Sequence, residues 1–299
     1  NSLWQSDTLQ GPWLPDPERP DRKRRAHLFA VIDDFSRFVP YGQWFFDEQL
    51  PRLERVIKVA ILRRGLPKAI YVDNGAVFVA QQFSAACASL GIKKMHSTPY
   101  EPQGRGKIER FFGTVREQFL PETDVSNIRL LTDLNASFWA WLDQVYHARV
   151  HSETGQSPFE RFTSGPGFDQ IVMPDPETLR RAFLWRAKRR ITKNATIELQ
   201  GNTYYVDLGL AWPGQTIEVR FDPFDLSKLD LYREGKPLAP VSVVHSKRQF
   251  HLQVEKLVPP ALRGDPAAGA NFLTTLRDEH DASLGKHIGR IQYSQFTQE

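Results

Sequence analysis

The stretch HLFAVIDDFSRFVPYGQWFF, residues 27–46, decides the fold. Its first part, His27 to Ile32, is a nearly continuous apolar run, which is typical of a strand buried on both faces. Asp33 to Arg37 predicts a turn, and Phe38 to Phe46 predicts the strand that returns. Leu3 to Thr8 predicts an earlier strand, separated from His27 by a loop that is rich in proline and charge. The chain therefore opens as an antiparallel meander.

Beyond residue 46 the apolar period changes, and predicted helices alternate with short strands. They are a helix around Leu53–Ile61, a strand Ala69–Val72, a helix 80–90, a strand Ile92–Met95, and helices Lys107–Phe119 and 133–150. Three strands followed by alternating helices and strands predict an α/β fold with a mixed sheet flanked by helices.

The second half of the sequence has a different pattern. Period-two patches separated by Gly201-Asn202, Pro213-Gly214 and Glu234-Gly235 predict short strands that form a small all-β barrel. Prolines before this region predict a linker, and polar residues after it predict a tail. The predicted domains are 1–165 (catalytic, by the resemblance described below), 166–185 (linker), 186–258 (barrel) and 259–299 (tail).

Composition excludes several classes of protein. The chain has 299 residues and 40% hydrophobic residues, which is ordinary for a globular protein of two domains. The single Cys87 excludes a disulfide within the chain and fits a reducing, cytoplasmic compartment, and we expect it to pack in the core. No apolar run approaches the roughly 20 residues that span a bilayer, so we expect no membrane partner. Asn1 to Gln5 already resembles the start of a strand, so we expect further residues before it.

Charge is unevenly distributed along the chain. Residues 180–256 contain 14 Lys and Arg against 8 Asp and Glu, whereas residues 1–179 contain 21 against 22. A basic module beside a near-neutral one predicts that the second half binds a polyanion.

Three acids lie where the surrounding sequence gives them no structural role. Asp7 is within or at the end of a strand, Asp73 ends a buried strand, and Glu109 is in the first turn of a helix. Mg²⁺ prefers carboxylate oxygens, and phosphoryl transfer on DNA uses two divalent ions about 4 Å apart. Three carboxylates from separate segments are a minimal set for such a pair.

The spacing of these acids, with 35 residues between Asp73 and Glu109, resembles the Asp-Asp-Glu signature of retroviral integrases and insertion-sequence transposases. The strings around them strengthen the resemblance, which runs from about residue 3 to 164. They are Trp4-Gln5-Ser6-Asp7, Ile32-Asp33-Asp34-Phe35-Ser36-Arg37, Val72-Asp73-Asn74-Gly75 and Pro102-Gln103-Gly104-Arg105-Gly106-Lys107-Ile108-Glu109-Arg110. Residues 186–258 resemble, more weakly, the barrel that follows the catalytic domain in the transposase of bacteriophage Mu.

The resemblance implies a ribonuclease-H-like fold and a DNA transposase core. It implies cleavage at the 3′ ends of transposon DNA and then strand transfer into target DNA, with Mg²⁺ or Mn²⁺ as two ions per active site. Asp7 would bridge both ions, and Asp73 and Glu109 would each hold one. The implied partners are transposon-end and target DNA, a homo-oligomer assembled on that DNA, and an ATPase helper that selects targets and could dock on the tail. The implied location is the bacterial cytoplasm, in association with the nucleoid.

Basic and polar residues near the acids and in the barrel are candidate DNA contacts, because Arg and Lys suit phosphate. The alternative is that they are solvated surface charges. The candidates are Gln103, Gly104, Arg105, Lys107, Arg110 and Arg116 beside the site, and Arg186, Lys188, Arg189, Arg190 and Lys193 in the barrel.

Other residues have competing interpretations. Asp33 and Asp34 are adjacent on a strand and point to opposite faces, so both cannot serve one metal; we expect Asp33 to stabilise a turn. His147 and His151 have the spacing of a helical metal pair, but without a third ligand a structural role is favoured. Two other functions remain open: a catalytically inactive DNA-binding relative, and a structure-specific nuclease on the same fold.

Overall fold

The computed structural model describes residues 1–73, 80–96, 106–125, 128–207, 209, 212–249, 251 and 272–288. Two β-sheets organise them. The strands of the first sheet are β1 (Leu3–Pro15), β2 (Lys23–Asp33), β3 (Tyr41–Phe45), β4 (Ala69–Val72) and β5 (Lys93–His96).

The first sheet has the strand order β3-β2-β1-β4-β5. β1, β2 and β3 pair antiparallel, and β4 and β5 add in parallel on the other side of β1. β2 is buried along its last six residues because helices cover both faces of the sheet. The predicted mixed sheet of ribonuclease-H-like type, flanked by helices, is confirmed.

Helices cover the first sheet on both faces. They are α1 (Leu50–Arg64), α2 (Gln81–Ser89), α3 (Gly106–Thr114), α4 (Leu120–Val125), α5 (Leu131–Trp141), α6 (Pro158–Thr163), α7 (Pro176–Ala182) and α8 (Phe272–Ile288). One apolar cluster joins the sheet to α3, α5 and α8, and a second joins the other face to α1, α2 and α7. π-helical turns, Val115–Phe119 and Leu142–Tyr146, continue α3 and α5.

Local sequence explains where α1 begins and ends. Pro51 occupies the first turn, where a missing N–H costs nothing. Leu53, Val56 and Ile57 face the core, and the helix ends at Gly65, whose φ of 77° is in the left-handed region and whose N–H donates to Ile61 O.

The second sheet forms a nearly closed antiparallel barrel with its own apolar core. Its strands are β6 (Trp185–Arg190), β7 (Thr196–Leu199), β8 (Asn202–Tyr205), β9 (Thr216–Asp222), β10 (Asp225–Arg233) and β11 (Lys236–His245), in the order β6-β9-β10-β11-β8-β7. Arg189 Nε donates to Glu198 O at 3.2 Å and links the two end strands. The turns Gln200-Gly201 and Glu234-Gly235 have positive φ at both residues, as two-residue hairpins of type I′ require.

The structure differs from the sequence-based expectation in three segments. The predicted loop 9–25 is largely a hairpin, because β1 continues to Pro15 and β2 begins at Lys23. Within the predicted linker, α7 packs Leu179 into the core beside α1. Within the predicted tail, α8 packs Leu273 and Leu276 against α5. The predicted domain boundaries themselves stay a prediction.

Two expectations from composition concern single features. Cys87 is buried, and burial raises the pKa of its thiol to about 12, so it packs as a small apolar residue as predicted. In the part of the chain that the structure describes, no helix has the length and apolar character that a bilayer crossing needs.

Candidate active site

Asp7 and Asp73 lie side by side on neighbouring parallel strands. The register of β1 and β4 pairs Gln5 with Tyr71 and Ser6 with Val72. Asp7 directly follows Ser6 on β1, Asp73 directly follows the last residue of β4, and adjacent strands are about 4.8 Å apart. Both are half-buried. The sheet topology therefore brings together two acids that are 66 positions apart in sequence.

Asp7 lies at the point where β1 loses its parallel partner. β4 ends at Val72, and the Asp7 Oδ1 atom accepts a hydrogen bond from the Thr8 N–H at 2.8 Å. On the other side of β4, His96 ends β5 in register with Val72, and its Nδ1 atom lies 3.4 Å from Asp73 O. The carboxyl ends of β4 and β5 thus form a polar edge beside the middle of β1.

Glu109 is in the first turn of α3, and this turn is attached to β1. The backbone N–H of Ile108 donates to Gln5 Oε1 at 3.1 Å. Gln5 is buried, and it lies on the same face of β1 as Asp7 because strand residues alternate. The Glu109 side chain itself is exposed. One hydrogen bond therefore joins the segments that carry two of the predicted metal ligands.

A second acid, Asp34, connects these segments. Its Oδ1 atom accepts from Gln5 Nε2 at 2.7 Å and lies 3.0 Å from Lys107 Nζ. Neither Gln5 nor Asp34 was predicted to be a site residue. The position of Gln5, two residues before Asp7 on one strand face, was the signal that could have identified it.

The predicted metal site of three acids is only partly assembled in the structure. Asp7 and Asp73 are neighbours at the polar edge, and Glu109 is held nearby by its helix. Within the described residues, no three Asp, Glu, His or Cys side chains are grouped closely enough to hold a metal ion. The three carboxylates have the right donor chemistry for a hard divalent cation.

The predicted DNA contacts near the site have different surroundings. Gln103, Gly104 and Arg105 lie outside the described residues. Arg110 forms an ion pair with Glu153, which also accepts from Arg37 at 3.2 Å, so this cation is attached to the segment after α5. Lys107 is paired with Asp34, and Arg116 is exposed on the π-helical turn.

The five basic residues of the barrel are separated by strand alternation. Arg186, Lys188 and Arg190 are exposed on one face of β6, whereas Arg189 points to the other and bonds to the end of β7. Lys193 is exposed in the turn that follows β6. Arg186, Lys188 and Arg190 form a row with the alternate-residue spacing of a strand, about 6.6 Å apart.

Two structural interpretations are confirmed. Asp33 Oδ2 accepts from the N–H and hydroxyl of Ser36 at 2.9 and 2.6 Å and so stabilises the turn after β2. His147 is buried and stacks on Phe38; its Nε2 accepts from Val39 N at 3.2 Å, and its Nδ1 lies 3.3 Å from Asp143. Burial lowers the pKa of His147, which keeps this ring neutral in the core.

Comparison with known families assigns both halves of the chain. Residues 1–102 and 90–158 match two models of the integrase core domain. Residues 180–239 match the model of the Mu transposase C-terminal region.

Individual relatives agree with these matches. The transposase of transposon Tn552 from Staphylococcus aureus is 27% identical over 253 residues, which are 78% of this chain and 52% of the relative. The transposase of an IS21-like element from Bacteroides fragilis is 24% identical over 220 residues, 68% of this chain and 40% of the relative. The Gag-Pol polyprotein of Koala retrovirus is 28% identical over 152 residues, 50% of this chain and 8% of the polyprotein. The chain thus spans about half or less of the length of these relatives.

Solved structures with a similar arrangement include the catalytic core of the HTLV-2 integrase in complex with magnesium. It has a TM-score of 0.43 and 23% identity, and the match covers 54% of this chain and 95% of that one. An intasome of simian T-cell lymphotropic virus has a TM-score of 0.46 and 18% identity, covering 83% and 80%. The chain is thus homologous to the Tn552 and IS21-like transposases and to retroviral integrases, and it matches models of the integrase core domain in its first half and of the Mu transposase C-terminal region in its second.

Proposed function

We propose that this chain is the core of a DNA transposase that cuts the 3′ ends of transposon DNA and joins them to target DNA. The observation that supports this most directly is the parallel register that makes Asp7 and Asp73 neighbours, with the helix of Glu109 attached to the same strand. The homology to two transposases supports the choice of DNA as substrate.

Asp7, Asp73 and Glu109 would hold Mg²⁺ or Mn²⁺, with two ions proposed per active site. Bound divalent ions would supply Lewis-acid stabilisation of charge on the phosphate and activation of the attacking oxygen. The exposed Glu109 side chain completes the ligand set by turning towards Asp7 and Asp73, which a change of side-chain rotamer at the start of a helix allows.

The other residues of the site bind and orient the DNA. Lys107 and Arg116 are positively charged residues on either side of Glu109 in sequence. Gln103, Gly104 and Arg105 also precede Glu109. Phosphate contacts of this kind fix the position of the scissile strand without reading its sequence. Arg110 contributes if DNA displaces its ion pair with Glu153, which is a surface pair and therefore weak.

The barrel holds DNA away from the reacting phosphate. The row Arg186, Lys188 and Arg190 faces solvent on β6, and Lys193 follows it. Arg189 has its guanidinium bound to the barrel's own backbone, so its role in this proposal is to fasten β6 to β7.

The partners follow from the proposed reaction. Joining two ends needs two active sites, so we expect a homo-oligomer that assembles on transposon-end and target DNA. An ATPase helper that docks on the region of α8 stays a prediction from the family resemblance.

The test uses end-bearing duplex oligonucleotides, a supercoiled plasmid and Mg²⁺ or Mn²⁺. The proposal predicts nicking at the 3′ end followed by covalently joined oligonucleotide–plasmid products. Nicking without joined products would instead support the structure-specific nuclease. Binding of the ends with neither product would support the catalytically inactive relative.

A further inference from the structure

We propose that Asp34 is a positioning residue that orients Gln5 and, through it, holds the first turn of α3 in place for Glu109. This inference rests on the proposed function, because it assigns Asp34 a role in building that active site. Asp34 has a defined location of its own, since its backbone N–H donates to Leu3 O at 2.9 Å and fastens it beside the start of β1.

The chemistry of a carboxylate explains how Asp34 orients Gln5. An ionised carboxylate only accepts hydrogen bonds, so the Gln5 side chain must turn its NH₂ group, 2.7 Å away, towards Asp34. The carbonyl oxygen of the same amide then faces the other way, where it accepts from Ile108 N at 3.1 Å. The charge on Asp34 therefore determines which end of the Gln5 amide meets α3.

The hydrogen bond from Ile108 to Gln5 satisfies a backbone N–H group at the start of α3. The first N–H groups of a helix have no partner within the helix, and Ile108 is the third residue of α3. Both Ile108 and Gln5 are buried, at 0% and 1% exposure, so water does not replace the bond if it is lost. Because Glu109 follows Ile108 and Asp7 shares a strand face with Gln5, this bond sets the spacing between two ligand-bearing segments.

Lys107 is a second link between Asp34 and α3. Its ammonium lies 3.0 Å from the same carboxylate oxygen that Gln5 uses. Both side chains of the ion pair are about one-third exposed, at 33% and 27%, so the ion pair alone contributes little. The buried amide bond is the larger part of the link, and Lys107 supports it by holding the Asp34 carboxylate in place.

The most informative substitution is Asp34→Asn, because an asparagine amide can both donate and accept. The Gln5 amide is then no longer forced into one orientation, and its NH₂ group can meet the Ile108 N–H, which breaks the bond. Asp34→Glu keeps an acceptor-only group and should retain the orientation. Asp21→Asn, on the exposed tip of the hairpin between β1 and β2, is a matched control for the lost charge.

Two measurements on the full chain decide the inference. In hydrogen exchange, Asp34→Asn should speed exchange of the Ile108 amide several-fold, while amides of α1 stay unchanged. In calorimetric titration with Mn²⁺ alone, the same variant should bind about 10-fold more weakly, the size of effect typical when a partner of a metal ligand is lost. Asp34→Glu and Asp21→Asn should behave as the wild type in both, and thermal melts confirm folding.

Substitution of Lys107 distinguishes a role in positioning α3 from a simple contact with DNA. Lys107→Met should weaken Mn²⁺ binding in the same direction as Asp34→Asn, and the double variant should be no worse than Asp34→Asn alone, because the two groups act as one unit. Independent, additive losses would contradict the inference, as would an Asp34→Asn chain with wild-type exchange at Ile108.

If the wild type binds no Mn²⁺, the proposed function fails, and the exchange rates still decide whether Asp34 holds α3. If Asp34→Asn does not fold, the comparison of Lys107→Met with Lys93→Met, on an exposed lysine of β5, decides in its place.

Discussion

Two locations of acids in this protein show how surroundings separate a candidate metal ligand from a structural carboxyl group. Asp7 and Asp73 are half-buried at a sheet edge where strand pairing stops. Glu54 is 3% exposed on α1, where the Trp185 indole N–H donates to its Oε2 at 2.6 Å. The sheet edge leaves Asp7 and Asp73 partly exposed, whereas the contact between α1 and β6 encloses Glu54 almost completely.

Burial determines the charge of Glu54. It raises the pKa of Glu54 from 4.5 to about 8, with a smaller contribution from Asp222, so at pH 7 Glu54 is an uncharged group that fastens the barrel to the first sheet. A metal ligand, in contrast, must be ionised. A buried acid outside the edge is therefore a poor candidate for catalysis, even where its pKa is strongly shifted.

The largest expected effect comes from neutralising the edge acids. Asp7→Asn, Asp73→Asn and Glu109→Gln should each reduce strand transfer by at least ~10³-fold, since metal stabilisation of the transition state contributes several kcal/mol. Each variant keeps the size of its side chain, so its melting temperature should stay close to that of the wild type. Joined oligonucleotide–plasmid products measure the effect. Near-normal joining by any one variant would remove that acid from the ligand set.

A smaller effect is expected at the contact that Glu54 makes. Its folded-state pKa is raised, so the stability it contributes is fully present below about pH 4.5 and is lost as pH rises towards 8. Glu54→Gln should remove this dependence, so that the free energy of unfolding of the wild type, minus that of the variant, falls by a few kcal/mol across this range. Urea unfolding at intervals from pH 5 to pH 9 measures this difference. A difference that stays constant with pH would show that Glu54 is ionised in the folded chain.

The smallest effects are expected on the barrel. Replacing Arg186, Lys188 and Arg190 together by Gln should weaken DNA binding at all sequences and reduce the slope of log K against log salt by about 3, one for each phosphate contact. Arg189→Gln is the matched control, because strand alternation places its side chain on the other face of β6. It should leave the salt slope unchanged. Equal slopes for the triple variant and the wild type would show that DNA does not use this face.

Much of the fold and of the candidate site could be predicted from the sequence, because the patterns that indicate them are local in sequence. The apolar run ending at Ile32 predicted a central strand, which is confirmed, and the acids after β4 and in the first turn of α3 were predicted to be metal ligands. The turn role expected of Asp33 is confirmed by its hydrogen bond from Ser36. Short-range periodicity is sufficient for such features.

Features that depend on distant pairs could not be predicted in this way. Gln5 meets Asp34 across 29 positions and Ile108 across 103, and no local pattern encodes either contact. The proline-rich segment after Thr8 predicted a loop, whereas β1 continues through it. The pairing of β1 with β2 resumes there after a register shift. The burial of Glu54 has no local signal either, because Trp185, which donates to it, is 131 positions away.

A crystal structure of the chain soaked in Mn²⁺, with the ions located by anomalous scattering, tests directly whether the three acids form one metal site. We expect two Mn²⁺ ions coordinated by Asp7, Asp73 and Glu109, with Asp7 bound to both. Ions found only elsewhere, or a Glu109 carboxylate that stays outside the group when Mn²⁺ is bound at Asp7 and Asp73, would contradict it.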